Sequence, residues 1–330
     1  MSGVYSVNSI GRLSSGGIIA NYKCPAACGH CLYGCSPEAE PGYMNSSTAV
    51  KICENLRRLG CRSVHIGGGE PFLNPDGLVN LIKIIISSGL RVDYIETNAA
   101  WVTDDDDHIR KILSNVTHAG GECIMVSADP FHVAFIPFWK PERLIRLLRE
   151  TGAQYFIWQE RYLSLLRKLD PVKTYESDDL QRMFGYDVAG QCAREYGMGF
   201  NGRALNLLRK YGKRKPIAML LEPCPELRNA SHFHVDFLGR YIPPGCTGMG
   251  ILIEDVGKEL DPKKYPVVSR LFEGGVSALL EYARKSGYVP DPGGYVSKCE
   301  LCFAIRKHLI AQDRQAYPDL TPDSFYRQDY

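Results

Sequence analysis

The sequence lacks the features that would place the chain in a membrane, a secretory pathway or a nucleic-acid complex. No apolar run approaches the roughly 20 residues needed to cross a bilayer. Residues 1–15 are polar and contain no basic segment followed by an apolar one, so no signal peptide is apparent. The 39 lysines and arginines nearly balance the 37 aspartates and glutamates, and no basic block occurs. We therefore expect no membrane partner, and charge implies no nucleic-acid partner.

Cysteine, by contrast, is abundant, with 12 in 330 residues. In a chain without an export signal, clustered cysteines indicate metal or redox sites rather than disulfides. We therefore predict a reducing, cytoplasmic compartment. The length is sufficient for one large domain and a smaller appendage.

Three of the cysteines, Cys24, Cys28 and Cys31, lie in one short loop with the spacing CxxxCxxC. Thiolates are the ligands that hold iron–sulfur clusters. A four-iron cluster on three thiolates would leave one iron open to a small molecule. A zinc site, or three unrelated thiols, is the alternative interpretation of the triplet.

Strand and helix patterns alternate between residues 17 and 202. We predict strands at residues 18–22, 62–66, 91–96, 122–126, 154–158 and 196–200, and helices at residues 48–59, 74–88, 104–116 and 141–151. Such repeats favour an α/β fold with parallel strands, here a partial (β/α)6 TIM-like barrel. Active sites of barrels of this kind lie at the carboxyl ends of the strands.

Chemically distinctive residues follow the first four predicted strands. The cysteine loop follows the first strand, and the others are Gly68, Gly69 and Glu70 after the second, Thr97 and Asn98 after the third, and Ser127 and Asp129 after the fourth. Each group taken alone is common in turns. Together, at one end of one sheet, they indicate a site.

The loop triplet followed by Gly68, Gly69 and Glu70 resembles the radical S-adenosylmethionine (SAM) enzymes. The resemblance implies that the open iron is chelated by the amino and carboxylate groups of SAM, and that the glycine turn binds its amino group. It also implies that His30 lies beside the adenine, and that Thr97, Asn98, Ser127 and Asp129 contact SAM or substrate. For His30 the alternative is a solvated loop histidine. A fourth ligand would close the open iron, so we interpret Cys35 as a free or packed thiol.

The second half of the chain changes in character after Gly202. A basic connector at residues 210–215 suggests a boundary near residue 213, dividing the chain into a core at 1–212 and an extension at 213–330. Residues 233–237 and 240–242 predict a hairpin that turns at Gly239. Residues 302–311 predict a helix.

Four later cysteines resemble the ligands of a SPASM/twitch auxiliary cluster, which makes the extension a small α+β iron–sulfur unit. They are Cys224, Cys246, Cys299 and Cys302. The full set of seven SPASM cysteines is not present, and the gap between Gly239 and Cys246 is longer than usual, so Cys192 is a possible substitute. The resemblance implies a second four-iron cluster, and a structural Cys₄ zinc site is the alternative.

The resemblance implies one reaction for the whole chain. A reduced cluster on Cys24, Cys28 and Cys31 cleaves SAM to a 5′-deoxyadenosyl radical, which abstracts hydrogen from a substrate carbon. The expected partners are a reductant such as flavodoxin or ferredoxin, and a peptide, protein or small-molecule substrate. The cluster loop begins at Cys24, too early for a leader-binding domain before it, which makes leader-dependent peptide modification less expected. An electron-transfer or metal-binding protein without SAM chemistry is the alternative.

Overall fold

The strands of the described residues form one open sheet of eight. The computed structural model describes residues 10–195, 201–229 and 231–327. The sheet order is β5-β4-β3-β2-β1-β6-β7-β8. Strands β1 to β6 pair in parallel with one another. The β6–β7 and β7–β8 pairs are antiparallel. The strands are β1 (Ser15–Ile19), β2 (Ser63–Gly67), β3 (Arg91–Thr97), β4 (Cys123–Ser127), β5 (Gln154–Trp158), β6 (Ser231–Asp236), β7 (Arg240–Ile242) and β8 (Ile251–Leu252).

Helices connect the parallel strands and cover the sheet. They are α1 (Ser46–Arg58), α2 (Pro75–Ser87), α3 (Asp106–His118), α4 (Trp139–Thr151), α5 (Leu163–Leu166), α6 (Ser177–Phe184), α7 (Val188–Glu195), α8 (Ala204–Tyr211), α9 (Pro266–Arg284), α10 (Lys298–Gln312) and α11 (Asp323–Arg327). Short 3₁₀ turns, such as Pro71–Leu73, lie between some of them.

Side-chain caps explain where the first helices begin. Asn45 accepts from the amide of Thr48 at 2.9 Å and starts α1 at Ser46, two residues before the predicted start. Asn74 caps α2 and is followed by Pro75, a residue suited to the first helical position. In α1 the buried residues recur at helical spacing, at Ala49, Ile52, Cys53 and Leu56.

The first five predicted strands are confirmed, with ends shifted by up to three residues. The predicted sixth strand at 196–200 lies outside the described residues. The sixth parallel strand of the sheet is instead β6, which pairs with β1 on the side opposite β2. Periodicity could not find this arrangement, because the partner of β6 lies more than 200 residues earlier in the chain.

The predicted hairpin after residue 213 is confirmed as β6 and β7, which turn through Gly239 with a φ of 78°. The sheet nevertheless continues across the predicted boundary, so the division into two domains stays a prediction. The last long helix, α10, begins at Lys298 rather than at 302, because Ser297 caps it through the amide of Glu300. Cys299 therefore lies inside its first turn. Among the described residues, no helix is both long and apolar enough to cross a membrane.

Candidate functional site

A cavity of about 450 Å³ lies at the carboxyl ends of the parallel strands. Its wall contains most of the residues predicted from the sequence: Cys24, Cys28, His30, Cys31, Gly68, Gly69, Thr97, Asn98 and Ser127. Glu70 and Asp129 are fully buried behind this wall. The structure thus brings the predicted groups together, and it separates those that face the cavity from those that support them.

The cysteine loop is held in shape by Arg203. The Arg203 guanidinium donates to the carbonyl oxygen of Cys28 at 3.0 Å and to that of Cys35, while its backbone amide donates to Cys31. A hydrogen bond from the Cys35 thiol lowers the pKa of Cys31 to about 5, against the effect of burial and with help from the Arg203 charge. Cys35 is buried beside Cys31 and lines the same cavity, and its interpretation as a free or packed thiol stays a prediction.

The glycine turn after β2 packs directly on the cysteine loop. The Gly69 amide donates to the carbonyl oxygen of Asn21 at 2.9 Å, and the Glu70 amide donates to that of Lys23 at 3.0 Å. A Cβ at Gly69 would lie 2.0 Å from the carbonyl oxygen of Lys23, a distance at which the loop would have to move. Glycine is therefore required here for close approach of two backbones.

The Glu70 carboxylate links the glycine turn to the end of β3. It accepts from the amide of Asn98 at 2.8 Å, from the hydroxyl of Thr97 at 3.0 Å, and from the amide of Phe72 at 3.0 Å. Burial raises the pKa of Glu70 to about 7, although these three donors lower it. We therefore interpret Glu70 as a residue that positions the cavity wall.

Asn98, the residue after β3, has a side-chain donor that points at a cysteine of the loop. Its Nδ2 lies 3.2 Å from Sγ of Cys24, and its Oδ1 accepts from the amide of Ala100 at 2.9 Å. The Thr97 hydroxyl, by contrast, donates to the Glu70 carboxylate and accepts from the indole nitrogen of Trp101. Of the two predicted residues at the end of the third strand, Asn98 is the better placed, because it lines the cavity and its side-chain donor lies beside Cys24.

Asp129 supports a histidine that sequence reasoning did not assign. Its carboxylate accepts from the amides of Phe131 and His132 and from Nδ1 of His132, the last at 2.8 Å. Burial lowers the pKa of His132, but the charges of Asp129 and Cys28 raise it well above its usual value. In the sequence, the signal for this contact was that Asp129 and His132 are three positions apart.

His30 is partly buried rather than solvated. Its ring packs 4.8 Å from that of Phe131 and 5.0 Å from that of His132, measured between centroids. Burial lowers the pKa of His30 to about 4, so it is neutral. Ligand atoms of Cys28, His30 and His132 lie within 4.8 Å of one another. A zinc ion could therefore find three ligand atoms close together in this loop region. These atoms belong to Cys28, His30 and His132, not to the three cysteines.

A second cavity, of about 180 Å³, is lined by all four later cysteines, Cys224, Cys246, Cys299 and Cys302. The β6–β7 hairpin returns the chain so that Cys246 faces Cys224, and α10 supplies the other two from its first turns. Cys192 does not line this cavity, because it is buried in α7, where Tyr162 is its neighbour. Burial raises the pKa of Cys224 to about 12 and that of Cys299 to about 11.

Two cations border this second cavity. Lys298 is held there by an ion pair with Glu226 at 2.9 Å. Arg306 is 1% exposed, and its guanidinium donates to the carbonyl oxygen of Thr247 at 2.8 Å and to the hydroxyl of Tyr326 at 3.0 Å. The Nε of Arg306 is buried without a hydrogen-bond partner. An anionic group in the cavity would compensate this charge.

Comparison with known proteins gives one family and several relatives. The model of the radical SAM superfamily matches residues 18–156. Over 55 residues, 17% of this chain, the sequence is 40% identical to the mycofactocin maturase MftC of Mycobacterium ulcerans (strain Agy99). The matched segment spans only 15% of the length of that relative.

Two solved structures of low sequence identity also match, with TM-scores below 0.5. Streptococcus suis SuiB bound to S-adenosylmethionine is 15% identical, with a TM-score of 0.45 over 88% of this chain and 77% of that one. Native anSMEcpe with bound AdoMet is 14% identical, with a TM-score of 0.45 over 92% of this chain and 99% of that one.

Proposed function

Because residues 18–156 form a radical SAM domain, we propose that this enzyme cleaves SAM reductively and uses the resulting radical on a substrate carbon. A [4Fe-4S] cluster on Cys24, Cys28 and Cys31 would supply the electron and a site for SAM, whose 5′-deoxyadenosyl radical abstracts hydrogen. The observation that carries this proposal is the shared cavity of the three cysteines, the glycine turn and Asn98.

The residues present fit the cluster and SAM. The three thiols face one cavity, Arg203 fixes their backbone, and Asn98 donates to Cys24. Gly68 and Gly69 expose backbone to the same cavity, where carbonyl groups can accept from an ammonium group. Glu70 and Asp129 are buried supports for these surfaces. The protein's own contribution is thus positioning and exclusion of water from the cavity.

We propose that the four later cysteines hold a second [4Fe-4S] cluster. Within the described residues, which include all four, no three of the thiols have sulfur atoms within 4.8 Å of one another. Zn–S bonds of about 2.3 Å would hold tetrahedral thiolates about 3.8 Å apart. The wider spacing and the cavity between the thiols favour the larger group over one zinc ion, and the buried charge of Arg306 would offset the negative charge of either.

The substrate is proposed only as a class, a peptide, a protein or a small molecule. The relative MftC is named as a maturase, which favours a peptide or protein, but the match covers a small part of either chain. A cytoplasmic location and a flavodoxin or ferredoxin as the reductant complete the proposal.

The test is production of 5′-deoxyadenosine under anaerobic conditions. The reconstituted protein, with dithionite and SAM, should form 5′-deoxyadenosine and methionine in equal amounts, measured by chromatography. An electron-transfer or zinc protein would form neither. The absence of both products from a protein that holds iron and sulfide would overturn the proposal.

A further inference from the structure

Two histidines meet over a glycine inside the sheet. His65 of β2 and His234 of β6 are both paired with Gly17 of β1, so the three residues form one row across three strands. A Cβ at Gly17 would lie 2.2 Å from Nε2 of His65, so a larger residue would leave no room for the ring. The two Nε2 atoms consequently approach to 3.0 Å.

Other groups with metal-binding atoms surround this pair. The ring of His232 lies 5.7 Å from that of His65 and 5.3 Å from that of His234. Oε1 of Glu96 lies 3.7 Å from Nε2 of His65. His232, His234 and Glu96 all line the 450 Å³ cavity. His232 also has a φ of 57°, an uncommon conformation for a residue other than glycine and one that recurs at functional sites.

Both members of the pair are neutral, and their Nε2 atoms share one hydrogen bond at 3.0 Å, so a metal ion between them would displace the proton of that bond. Burial lowers the pKa of His65 to about 3 and that of His234 well below its usual value. Nδ1 of His234 lies 2.6 Å from the hydroxyl of Tyr33. When Nδ1 of His234 carries a hydrogen atom and donates it in a hydrogen bond to the Tyr33 hydroxyl, Nε2 of His234 keeps a lone pair that can bind a metal ion. Histidine ligands of metals commonly have such a partner on the other ring nitrogen.

From this juxtaposition we propose that His65 and His234, with Glu96, bind one divalent transition-metal ion inside the barrel. Metal–nitrogen bonds of about 2.0–2.1 Å at ordinary bond angles place two imidazole nitrogens about 3.0–3.4 Å apart, and this pair already has that separation. Two histidines and one carboxylate are a recurrent donor set for such ions.

The remaining positions on the ion are supplied from the cavity side. No three of the described residues His65, His234, Glu96 and His232 have ligand atoms within 4.8 Å of one another. Glu96, whose side chain is 34% exposed, would therefore have to change its rotamer to reach the ion, and His232 is the next available ligand. A further position faces the cavity and would take an oxygen or nitrogen atom of the substrate. The ion would thus orient a polar group of the substrate, apart from the cysteine loop.

Zinc is the probe for this site, and the full chain with its iron–sulfur content restored is the sample, so that the cysteines are occupied. After anaerobic dialysis against Zn²⁺, elemental analysis should find about one zinc per chain. Zinc-edge X-ray absorption should show nitrogen and oxygen neighbours at about 2.0–2.1 Å. The double variant His65→Gln/His234→Gln should lose this zinc and keep its iron. His118→Gln, at an exposed position of α3, should keep both.

Three results would overturn the assignment. They are no zinc above background in the wild-type chain, a sulfur shell at about 2.3 Å, or equal zinc in the double variant. Gly17→Ala provides a second variant that adds a methyl group between the rings, and retained zinc there also counts against the site. The zinc measurement does not depend on SAM turnover, so it succeeds or fails separately from the proposed radical chemistry.

Discussion

The side-chain amide of Asn98 donates to Sγ of Cys24 at 3.2 Å, and its backbone amide donates to the buried carboxylate of Glu70 at 2.8 Å. One residue at the end of β3 is therefore bonded to the cysteine loop through its side chain and to the glycine turn through its backbone. Loss of the side chain removes the first of these links and leaves the second intact.

We expect Asn98→Ala to weaken SAM binding without removing the loop cluster. A hydrogen bond to a charged group is worth about 1.5–3 kcal/mol, so SAM affinity should fall roughly tenfold or more. Calorimetry under anaerobic conditions measures the affinity, and visible absorption measures the cluster. Asn80→Ala, at an exposed position of α2, is the matched control. Unchanged affinity in Asn98→Ala would contradict its role.

Glu70→Ala should act differently from Asn98→Ala, because the Glu70 carboxylate accepts three hydrogen bonds within the protein. We expect weaker SAM binding together with lower stability. Glu70→Gln, which keeps an acceptor oxygen, should recover part of both. Calorimetry and urea unfolding give the two quantities. Weaker SAM binding with unchanged stability in Glu70→Ala would instead indicate direct contact between Glu70 and the ligand.

Alanine at Cys24, Cys28 or Cys31 should abolish 5′-deoxyadenosine formation, whereas Cys35→Ala should leave it largely intact. All four thiols line the cavity, but the Cys35 thiol is hydrogen-bonded to Cys31, and a ligand from Cys35 would close the iron that SAM needs. Chromatography of anaerobic reactions measures the product. Cys123→Ala, in β4, is a control for the loss of an unrelated thiol. Full activity of Cys28→Ala would rule out the cluster assignment.

Iron analysis distinguishes a second cluster from a zinc module. The reconstituted wild-type chain should hold about eight irons, and the Cys24/Cys28/Cys31 triple alanine variant should keep about four, with equal sulfide. One zinc and no iron in the triple variant would mean that Cys224, Cys246, Cys299 and Cys302 form a structural site. A Cys299→Ala/Cys302→Ala double variant should lose the iron of the second cluster and keep the iron of the loop cluster.

Arg306→Gln should lower the reduction potential of the second cluster. A unit charge at roughly 5–10 Å, with an effective dielectric constant near 20, contributes about 2–3 kcal/mol, equivalent to about 100 mV for one electron. Potentiometric titration followed by electron paramagnetic resonance measures it in the triple variant. Arg306→Lys keeps the charge and should shift the potential less. Equal potentials in wild type and Arg306→Gln, at equal iron content, would contradict the prediction.

The order of the β/α units and most of the site were readable from the sequence because they depend on local patterns. Apolar strands, helix caps and the polar residues that follow each strand are all short-range signals. The same logic found Gly69 and Asn98, which lie at strand ends. Cys299 and Cys302 were also visible, as a CxxC pair that resembles the ligands of an auxiliary cluster.

The residues that sequence reasoning missed act across long separations. Arg203 holds a loop 175 residues earlier, and His65 and His234 meet although they are 169 positions apart in the sequence. Their pairing depends on β6 lying beside β1, and on the absence of a side chain at Gly17. No periodicity in either segment contains that information, because it arises only when the sheet is assembled.

The position of β1 in the sheet determines how a fragment of the protein would behave. β1 is hydrogen-bonded to β2 on one side and to β6 on the other. A fragment that ends before residue 231 would therefore turn β1 into an edge strand, with unpaired amides and carbonyls beside the apolar Ile18 and Ile19. Exposed edges of this kind promote intermolecular strand pairing, so the truncated first half should aggregate rather than persist as an independent folding unit.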